Sequence, residues 1–396
     1  MKCDEIEQLF SKRLGFGCMR LPLKDISDKK SIDYELFEKM ITIYLQNGYK
    51  YFDTGYAYNN GASEIALREC LVKKYPREQF LICDKLPLYL LKTYNQMDSI
   101  FSEQLEKCGI QYFDYYLLHA VTRNNVGIIK ALDIFSYLTE KKRLGMINHI
   151  GISFHDSADL LDKLLVEYPE IEIVQLQLNY LDWDNILIQS KECYEVAIKH
   201  NKKIIVMEPL KGGSLINIPD NILMQEEISK EKLLELAFSF LLEKNNVVMI
   251  LSGMNSLENI SQNLSLFEKF RPLQKDDLDL IRRIKAALNS SNSISCTSCN
   301  YCTNVCPNKI RIPESFSLYN NYKQYGKNQL LITNMYYSTL RQSISTCIKC
   351  GLCLKNCPQH LDIPLLLEKI NKEMFFLSFV NTKKKIKQYI NSSKDD

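Results

Sequence analysis

The hydrophobic positions of the first 290 residues alternate between two kinds of segment. Short apolar runs rich in β-branched and aromatic residues recur at intervals, and longer segments with a helical spacing of apolar residues lie between them. The short runs predict strands at 13–18, 51–53, 80–85, 115–119, 147–153, 173–178, 204–208 and 247–252. This alternation is typical of a parallel sheet whose strands are connected by helices.

The longer segments supply the helices of this pattern. Gly48 and Gly109 follow two of them, at positions where helices often end. The predicted helices include the amphipathic segments 32–47, 63–74, 96–108 and 232–243. Eight βα units in about 275 residues favour a (β/α)8 TIM barrel. A doubly wound open sheet is the alternative, but no Gly-x-Gly-x-x-Gly motif follows the first strand.

Composition and charge narrow the class of protein. The chain is 46% hydrophobic and 24% charged, as ordinary globular proteins are. A net charge of +3 gives no reason to expect nucleic acid or an anionic membrane as a partner. No run of about 18 apolar residues occurs, and four of the first seven residues are charged where a signal peptide would be apolar. We therefore expect a cytoplasmic protein.

The distribution of the 14 cysteines marks a domain boundary. Six cysteines are scattered singly before residue 295, whereas eight lie between Cys296 and Cys357. We predict a barrel at 11–288, a small and mostly α-helical domain at 289–372, and a basic, solvated tail at 373–396. The tail carries four lysines within 383–387, behind the apolar residues 375–377, and we do not expect it to bind a membrane.

The eight clustered cysteines form two copies of the pattern Cys-x-x-Cys-x-x-Cys-x-x-x-Cys-Pro. This is the bacterial ferredoxin spacing for [4Fe-4S] clusters, in which the fourth cysteine of each run binds the other cluster. One predicted cluster takes Cys296, Cys299, Cys302 and Cys357, and the other takes Cys347, Cys350, Cys353 and Cys306. Structural zinc is the competing interpretation, but zinc does not require the third cysteine or the Cys-Pro.

The segment between the two motifs is long for a compact ferredoxin. Helices are predicted at 313–325 and 329–342. The second domain therefore resembles the α-helical ferredoxin-type domains that are fused to dehydrogenases.

The barrel carries its candidate chemistry at the ends of its strands, because TIM-barrel active sites lie at the carboxyl ends. Asp53, Lys85 and His119 end the second, third and fourth predicted strands, and Tyr58 follows Asp53 by five residues. A phenol can protonate a carbonyl oxygen that is receiving a hydride if a nearby ammonium stabilises the phenolate. A second donor at the same oxygen completes an oxyanion site.

At these residues the chain resembles the aldo-keto reductases, which are TIM barrels that use nicotinamide cofactors. The matching segments are 52–58, 84–86, 117–119, 151–153 and 252–254, within a resemblance that covers 11–288. The resemblance implies that Tyr58 is the general acid, that Lys85 and Asp53 are its electrostatic partners, and that His119 orients the substrate carbonyl.

The resemblance also implies a set of cofactor contacts. In the family's pattern, Ser153 and Gln175 hold the nicotinamide carboxamide, and Met207 stands where many members stack an aromatic ring. The remaining predicted contacts are Glu208, Ser252, Gly253, Gln262 and Asn263. Gly253 and Asn259 replace the lysine and arginine that bind the 2′-phosphate in many members, and this loss of charge favours NADH over NADPH.

Three functional hypotheses follow. The first is an NAD(P)H-linked oxidoreductase that acts on a small carbonyl or alcohol and uses two [4Fe-4S] clusters for electron transfer. The second is an electron-transfer module, and the third is a redox sensor, neither of which reduces a carbonyl. Because a hydride carries two electrons and a cluster accepts one, a flavin, a one-electron substrate or an external redox partner protein has to connect the two halves.

Overall fold

The computed structural model describes two compact units of the chain. The described residues are 12–186, 188–218, 220–290, 293–325 and 343–373. Met1–Lys211 and Ile228–Ile281 form the first unit, which we call the barrel unit. Gly212–Glu227 and Arg282–Asp396 form the second, the cluster unit. The segment that follows the seventh strand therefore groups with the cysteine-rich part of the chain.

The barrel unit contains a closed sheet of eight parallel strands in sequence order. The strands are β1 Leu14–Gly17, β2 Tyr51–Asp53, β3 Leu81–Leu86, β4 Phe113–Val121, β5 Ile147–Phe154, β6 Ile173–Gln177, β7 Lys203–Met207 and β8 Val247–Ser252. Pairing of β1 with β8 closes the barrel, with Phe16 opposite Ser252. The predicted TIM barrel is confirmed, and the doubly wound alternative is wrong because an open sheet leaves its edge strands unpaired.

Helices alternate with the strands along the chain, although the helix at 220–225 belongs to the cluster unit and the last two follow the final strand. They are α1 Tyr34–Gln46, α2 Ser63–Leu67, α3 Tyr94–Cys108, α4 Val126–Ala131, α5 Ile134–Arg143, α6 Ala158–Glu167, α7 Ser190–Lys199, α8 Asp220–Gln225, α9 Lys230–Leu242, α10 Leu257–Glu268 and α11 Lys275–Ser290. The predicted helix at 63–74 changes character at Arg68–Val72, where the turns widen to π-helix and the Lys73 amide donates to the Arg68 carbonyl. Apolar spacing alone does not distinguish these two kinds of turn.

The interior of the barrel is filled by side chains that alternate along the strands. Tyr51, Cys83, Tyr115, Ile205 and Met249 belong to one buried cluster in this interior. Gly151 on β5 is required by this packing, because a Cβ there would lie 2.6 Å from both the Ile173 carbonyl oxygen and Leu117 Cδ2. Apolar packing of the interior leaves the carboxyl ends of the strands to carry the polar side chains.

The cluster unit has a separate small core and is mostly helical, as predicted. Its helices include α12 Tyr301–Val305, α13 Ile312–Tyr325, α14 Leu352–Lys355 and a helical segment at 363–373. Phe316, Ile344 and Leu367 pack in its core together with several of the cysteines. Asn320 makes two hydrogen bonds of 2.7 Å with the backbone of Ile294, and these fix α13 against the start of the first cysteine motif.

Two sequence predictions fall outside the described residues. They are the helix at 329–342 and the basic tail at 373–396, of which only residue 373 is described. In the part of the chain that is described, no helix is long and apolar enough to cross a membrane.

Two buried carboxyl groups lie behind β3, on the strand face opposite to Lys85. Asp84 and Glu64 are both 0% exposed. Burial, followed by the charge of Glu64, raises the pKa of Asp84 well above its ordinary value. Burial also raises the pKa of Glu64 to about 6, although Lys107, 3.5 Å away, opposes the shift. A folded protein with two such groups retains protons that the unfolded chain releases.

We predict that this pair makes the barrel less stable as the pH rises. Since the raised pKa lies above the unfolded value, the folded state binds more protons between about pH 4.5 and pH 6, and the free energy of unfolding falls through that window. The loss is roughly 2 kcal/mol for Glu64. Glu64→Gln should flatten this dependence in urea unfolding followed by the fluorescence of Trp183, the single tryptophan.

Glu35→Gln is the matched control, because Glu35 is an exposed carboxyl at the start of α1. We expect this variant to keep the wild-type pH dependence. A Glu64→Gln variant with an unchanged slope would show that the buried pair does not hold the proton.

Candidate functional sites

A buried ion pair stands at the carboxyl ends of β2 and β3. Lys85 is 0% exposed, and its Nζ lies 2.5 Å from Asp53 Oδ1 and 2.5 Å from the Thr54 carbonyl oxygen. Burial by itself would lower the pKa of Lys85, but the charge and hydrogen bond of Asp53 outweigh it and raise this pKa. The structure therefore fixes a charged ammonium inside the barrel mouth.

Tyr58 lies directly above this ion pair. It begins the turn Tyr58–Gly61 that follows β2, and its ring centroid is 5.0 Å from Lys85 Nζ. Gly55 provides the space for the ring, because a Cβ at that position would lie 3.1 Å from Tyr58 Cε1. Asn59 and Asn60 take left-handed backbone angles, which tighten the turn after the tyrosine.

His119 completes the group from β4. Its ring meets the ring of Tyr58 edge to face, with the centroids 5.9 Å apart. Burial first, and then the charges of Lys85 and His155, lower the pKa of His119 well below its ordinary value, so the imidazole is neutral. The four residues predicted from strand ends thus converge, although β4 continues past His119 through an irregular step to Val121.

The predicted nicotinamide residues lie on neighbouring strands. Ser153 Oγ is 3.8 Å from Met207 Sδ, and both belong to strands at one side of the barrel mouth. Gln175 Nε2 donates to Asp53 Oδ2 at 3.0 Å, which connects the predicted carboxamide site to the ion pair. This amide therefore holds Asp53 in position.

The other residues predicted to contact the cofactor, beyond the nicotinamide, do not all lie together. Asn263 is buried and donates to Ser252 Oγ at 2.7 Å, so these two are joined at the end of β8. Gln262 instead lies on the exposed face of α10 and donates to Glu258 at 3.1 Å. Glu208 follows β7 in a left-handed conformation, and its carbonyl oxygen accepts from Asn179.

A second buried ion pair holds the segment after β7. Lys211 Nζ lies 2.6 Å from Asp182 Oδ1, and both side chains are almost completely buried. Gln177 and Asn179 each donate to Asp182 Oδ2 at 2.8 Å. No sequence motif predicts this network, because its members come from two different βα units.

Two further residues near the barrel mouth were missed. Arg20 follows β1, and a Cβ at Gly253 would lie 3.8 Å from its Nη1, so the glycine leaves room for an arginine from another βα unit. Tyr89 follows β3 and approaches His119 edge to face at 6.4 Å. The closed pairing of β1 with β8 brings Arg20 there, and no local sequence pattern announces it.

The two cysteine motifs adopt the same backbone conformation. Left-handed residues recur 51 positions apart at three equivalent places. The pairs are Ser298 with Lys349, Asn300 with Gly351, and Lys309 with His360. The middle pair caps two short helices: Asn300 is the N-cap of α12, and Gly351 is the N-cap of α14. The cluster unit is therefore an internal repeat in structure as well as in sequence.

The thiols group across the repeat rather than within each motif alone. Cys306 lines one cavity together with Cys347, Cys350 and Cys353. On the other side, burial and then the neighbouring Cys296 and Cys357 raise the pKa of the Cys302 thiol to about 12. Cysteine thiolates are the ligands of [4Fe-4S] clusters, although among the described residues no group of three or more Cys, His, Asp or Glu side chains is arranged to hold a metal ion.

Comparison with known proteins assigns both units. A profile described as "Aldo/keto reductase family" matches residues 13–286, and one described as "4Fe-4S dicluster domain" matches 295–361. An aldo-keto reductase of Mycolicibacterium vanbaalenii is 25% identical over 232 residues, covering 58% of this chain and 77% of that protein. The NADH-specific methylglyoxal reductase of Escherichia coli is 23% identical over 288 residues, covering 61% and 85%.

Solved structures agree on the fold. An aldo-keto reductase from Bacillus halodurans in its holo form matches with a TM-score of 0.55 and 21% identity, over 69% of this chain and 91% of that one. One from Klebsiella pneumoniae in complex with NADPH has a TM-score of 0.54 and 15% identity, over 69% and 90%. The family profile alone spans well over half of the chain and confirms the resemblance found in the sequence. The chain therefore belongs to the aldo/keto reductase family, as an NAD(P)-dependent oxidoreductase whose barrel is followed by a 4Fe-4S dicluster domain.

Proposed function

We propose that the barrel reduces a small carbonyl substrate with a nicotinamide cofactor, or oxidises the corresponding alcohol, and that Tyr58 is the general acid. The observation that carries this proposal is the buried Lys85–Asp53 pair placed 5.0 Å from the centre of the Tyr58 ring, with His119 on the adjoining strand. The bound nicotinamide supplies or accepts the hydride.

The four side chains have different roles in the transfer of a proton to the substrate oxygen. Tyr58 gives its phenolic proton to the oxygen as negative charge develops there, and the Lys85 ammonium stabilises the phenolate that remains. Asp53 and the Thr54 carbonyl hold that ammonium in place. Neutral His119 donates an N–H to the same oxygen. In the oxidative direction Tyr58 takes the proton back.

The residues near Asp53 fit the nicotinamide. Since Gln175 donates its Nε2 to Asp53, its Oε1 can accept an N–H of the carboxamide. Ser153 lies beside Met207, whose thioether can cover one face of the ring. Ser252 and Asn263, together with Gln262 and with Glu208 after β7, are assigned to the remainder of the dinucleotide.

We propose NADH as the preferred cofactor. Gly253 and Asn259 carry no charge for a 2′-phosphate, and we assign Arg20 to the pyrophosphate, which both dinucleotides share. The name of the Escherichia coli relative, an NADH-specific methylglyoxal reductase, makes NADH and a small ketoaldehyde the first pair to test.

For the cluster unit we propose two [4Fe-4S] clusters with exchanged fourth ligands. They move single electrons in the cytoplasm, where thiols stay reduced. An external one-electron carrier protein, or a flavin visible in the absorbance of the purified protein, connects them to two-electron chemistry. The support for the exchange is the cavity that Cys306 shares with Cys347, Cys350 and Cys353.

The first prediction concerns the acid. Tyr58→Phe should lower kcat/KM for carbonyl reduction by about 100-fold or more, because the proton donor is lost. Iron content and the affinity for NADH should not change. Steady-state kinetics with a ketoaldehyde and fluorescence titration with NADH measure both quantities.

Tyr89→Phe is the control, because Tyr89 also packs against His119 but is not assigned the proton. This variant should keep most of its activity. If Tyr58→Phe remained active, Tyr58 would not be the acid, and the electron-transfer hypothesis would gain support.

The second prediction concerns cofactor recognition. Arg20→Met should weaken NADH and NADPH by the same factor, about tenfold for one lost charge-assisted contact. Arg143→Met, which removes an exposed arginine paired with Glu140, should change neither dissociation constant. Wild-type protein that binds NADPH more tightly, or a variant that loses only NADPH, would contradict the assigned preference.

The third prediction concerns the exchanged ligands and is measured as iron per chain. Wild-type protein should hold about eight irons, and Cys357→Ser about four. Adding Cys299→Ser to Cys357→Ser should remove no more iron, because both residues serve one cluster. Adding Cys350→Ser should instead reduce the content to about zero. The reverse pattern would show that each motif binds its own complete cluster.

A further inference from the structure

We propose that the second cysteine motif is the entry point for electrons from an external carrier, and that the carrier is a small acidic iron–sulfur protein. The inference rests on the proposed pair of [4Fe-4S] clusters and assigns different roles to them. It follows from an asymmetry within the cluster unit, whose two motifs share a backbone conformation but differ in what surrounds them.

The second motif is surrounded by exposed apolar side chains. Ile348 is 66% exposed and Leu365 is 61% exposed, and Cys350 itself is exposed. Ile348 and Pro364, the neighbour of Leu365, line the same cavity as the four thiols of the proposed second cluster. We define the port patch as Ile348, Leu352, Leu354 and Leu365. Such an apolar surface around a redox centre is unusual unless a partner covers it.

The first motif is covered from within the same unit. The segment that begins at Gly212 packs on Thr297, the residue after Cys296. A Cβ at Gly212 would lie 2.7 Å from the Thr297 carbonyl oxygen, and Thr297 is only 2% exposed. Gly212 also has a φ of +66°, a conformation that a glycine adopts without strain. A carrier protein cannot approach the first motif at this contact.

The charge around the cysteines selects an acidic partner. Segments 294–313 and 343–361 include all eight cysteines and four cationic residues. The nearest carboxylates along the chain are Glu314 and Asp362, directly after the two segments, and Glu314 lies 3.8 Å from Arg311, so cations outnumber carboxylates by four to two. The four cations are Lys309, Arg311, Lys349 and Lys355. Glu368 accepts from both Lys349 and Lys372, so one carboxylate serves two ammonium groups. An apolar centre with a cationic rim suits a transient complex that opposite charge steers together.

The step at this surface is a transfer of one electron. The reduced carrier gives up the electron, the second motif's cluster accepts it, and the carrier is oxidised by the same amount. No bond forms or breaks and no proton moves.

The experiment uses the full-length, anaerobically purified holoprotein. The probe is an acidic [2Fe-2S] ferredoxin, whose visible spectrum differs from that of a [4Fe-4S] cluster. It is reduced with dithionite for stopped-flow absorbance at a wavelength where the two chromophores change by different amounts, and it is left oxidised for calorimetric binding. Ile348→Ser/Leu365→Ser should lower the second-order rate constant about tenfold and raise the dissociation constant about tenfold, because apolar contact area is lost.

The matched control is Leu144→Ser/Val166→Ser, two side chains of the barrel unit that are 53% and 68% exposed. These changes should alter neither quantity. Reduced methyl viologen, a small dye that needs no docking surface, should reduce all variants at the wild-type rate. Lys349→Gln/Lys355→Gln should flatten the dependence of the ferredoxin rate on ionic strength.

Three results would contradict the proposal that electrons enter at the port patch. They are wild-type affinity and rate in the Ile348→Ser/Leu365→Ser variant, an equal loss in the control variant, and an equal slowing with methyl viologen. The proposed carbonyl chemistry fails separately. If the ferredoxin binds at the port patch but the protein does not reduce carbonyls with NADH, the barrel's proposed activity is refuted and the proposed electron-entry site is not.

Discussion

The barrel depends on one buried ion pair, between Lys85 and Asp53. Placing an ammonium and a carboxylate in a protein interior costs several kcal/mol per ion unless geometry and hydrogen bonds compensate. Here Thr54 supplies a carbonyl to Lys85, and Gln175 supplies an amide to Asp53 from the far side of the barrel. Removing either ion would leave the other uncompensated, so the pair constrains β2, β3 and β6 at once.

The same alternation of side chains that builds the pair also places two buried carboxyl groups behind it. On β3, Lys85 faces the barrel interior, and Asp84 faces the helix layer, where it meets Glu64. Gln104 on α3 donates to the Lys85 carbonyl and accepts from Tyr116 at 2.5 Å, so the helix layer is hydrogen-bonded to β3. The buried ion pair and its supporting layer are therefore one polar network within an apolar barrel.

The cluster unit is organised by a different constraint. Its apolar core is small, and in the proposed holoprotein ligand bonds to iron would supply much of the energy that a larger core would supply. The repeated left-handed residues give the two motifs the same turns, and the proposed exchange of the fourth cysteine would join the two halves. The segment after β7 packs on Thr297 of the first motif, and we propose that the second motif is the one that meets a partner.

The sequence by itself determined the barrel, its eight strands, the helical second domain and the eight cysteines. These features have local causes, namely the period of apolar residues and the fixed spacing of thiols, so a linear pattern suffices to predict them. The convergence of Asp53, Tyr58, Lys85 and His119 also followed, because parallel strands all place their carboxyl ends at one mouth.

Only the tertiary structure brought Arg20 beside Gly253, paired Lys211 with Asp182, and grouped the segment at 212–227 with the cysteine motifs. Each of these contacts joins residues from separate βα units or separate parts of the chain. Closure of the barrel and packing of the second core decide such neighbours, and no periodicity in the sequence encodes distances between them.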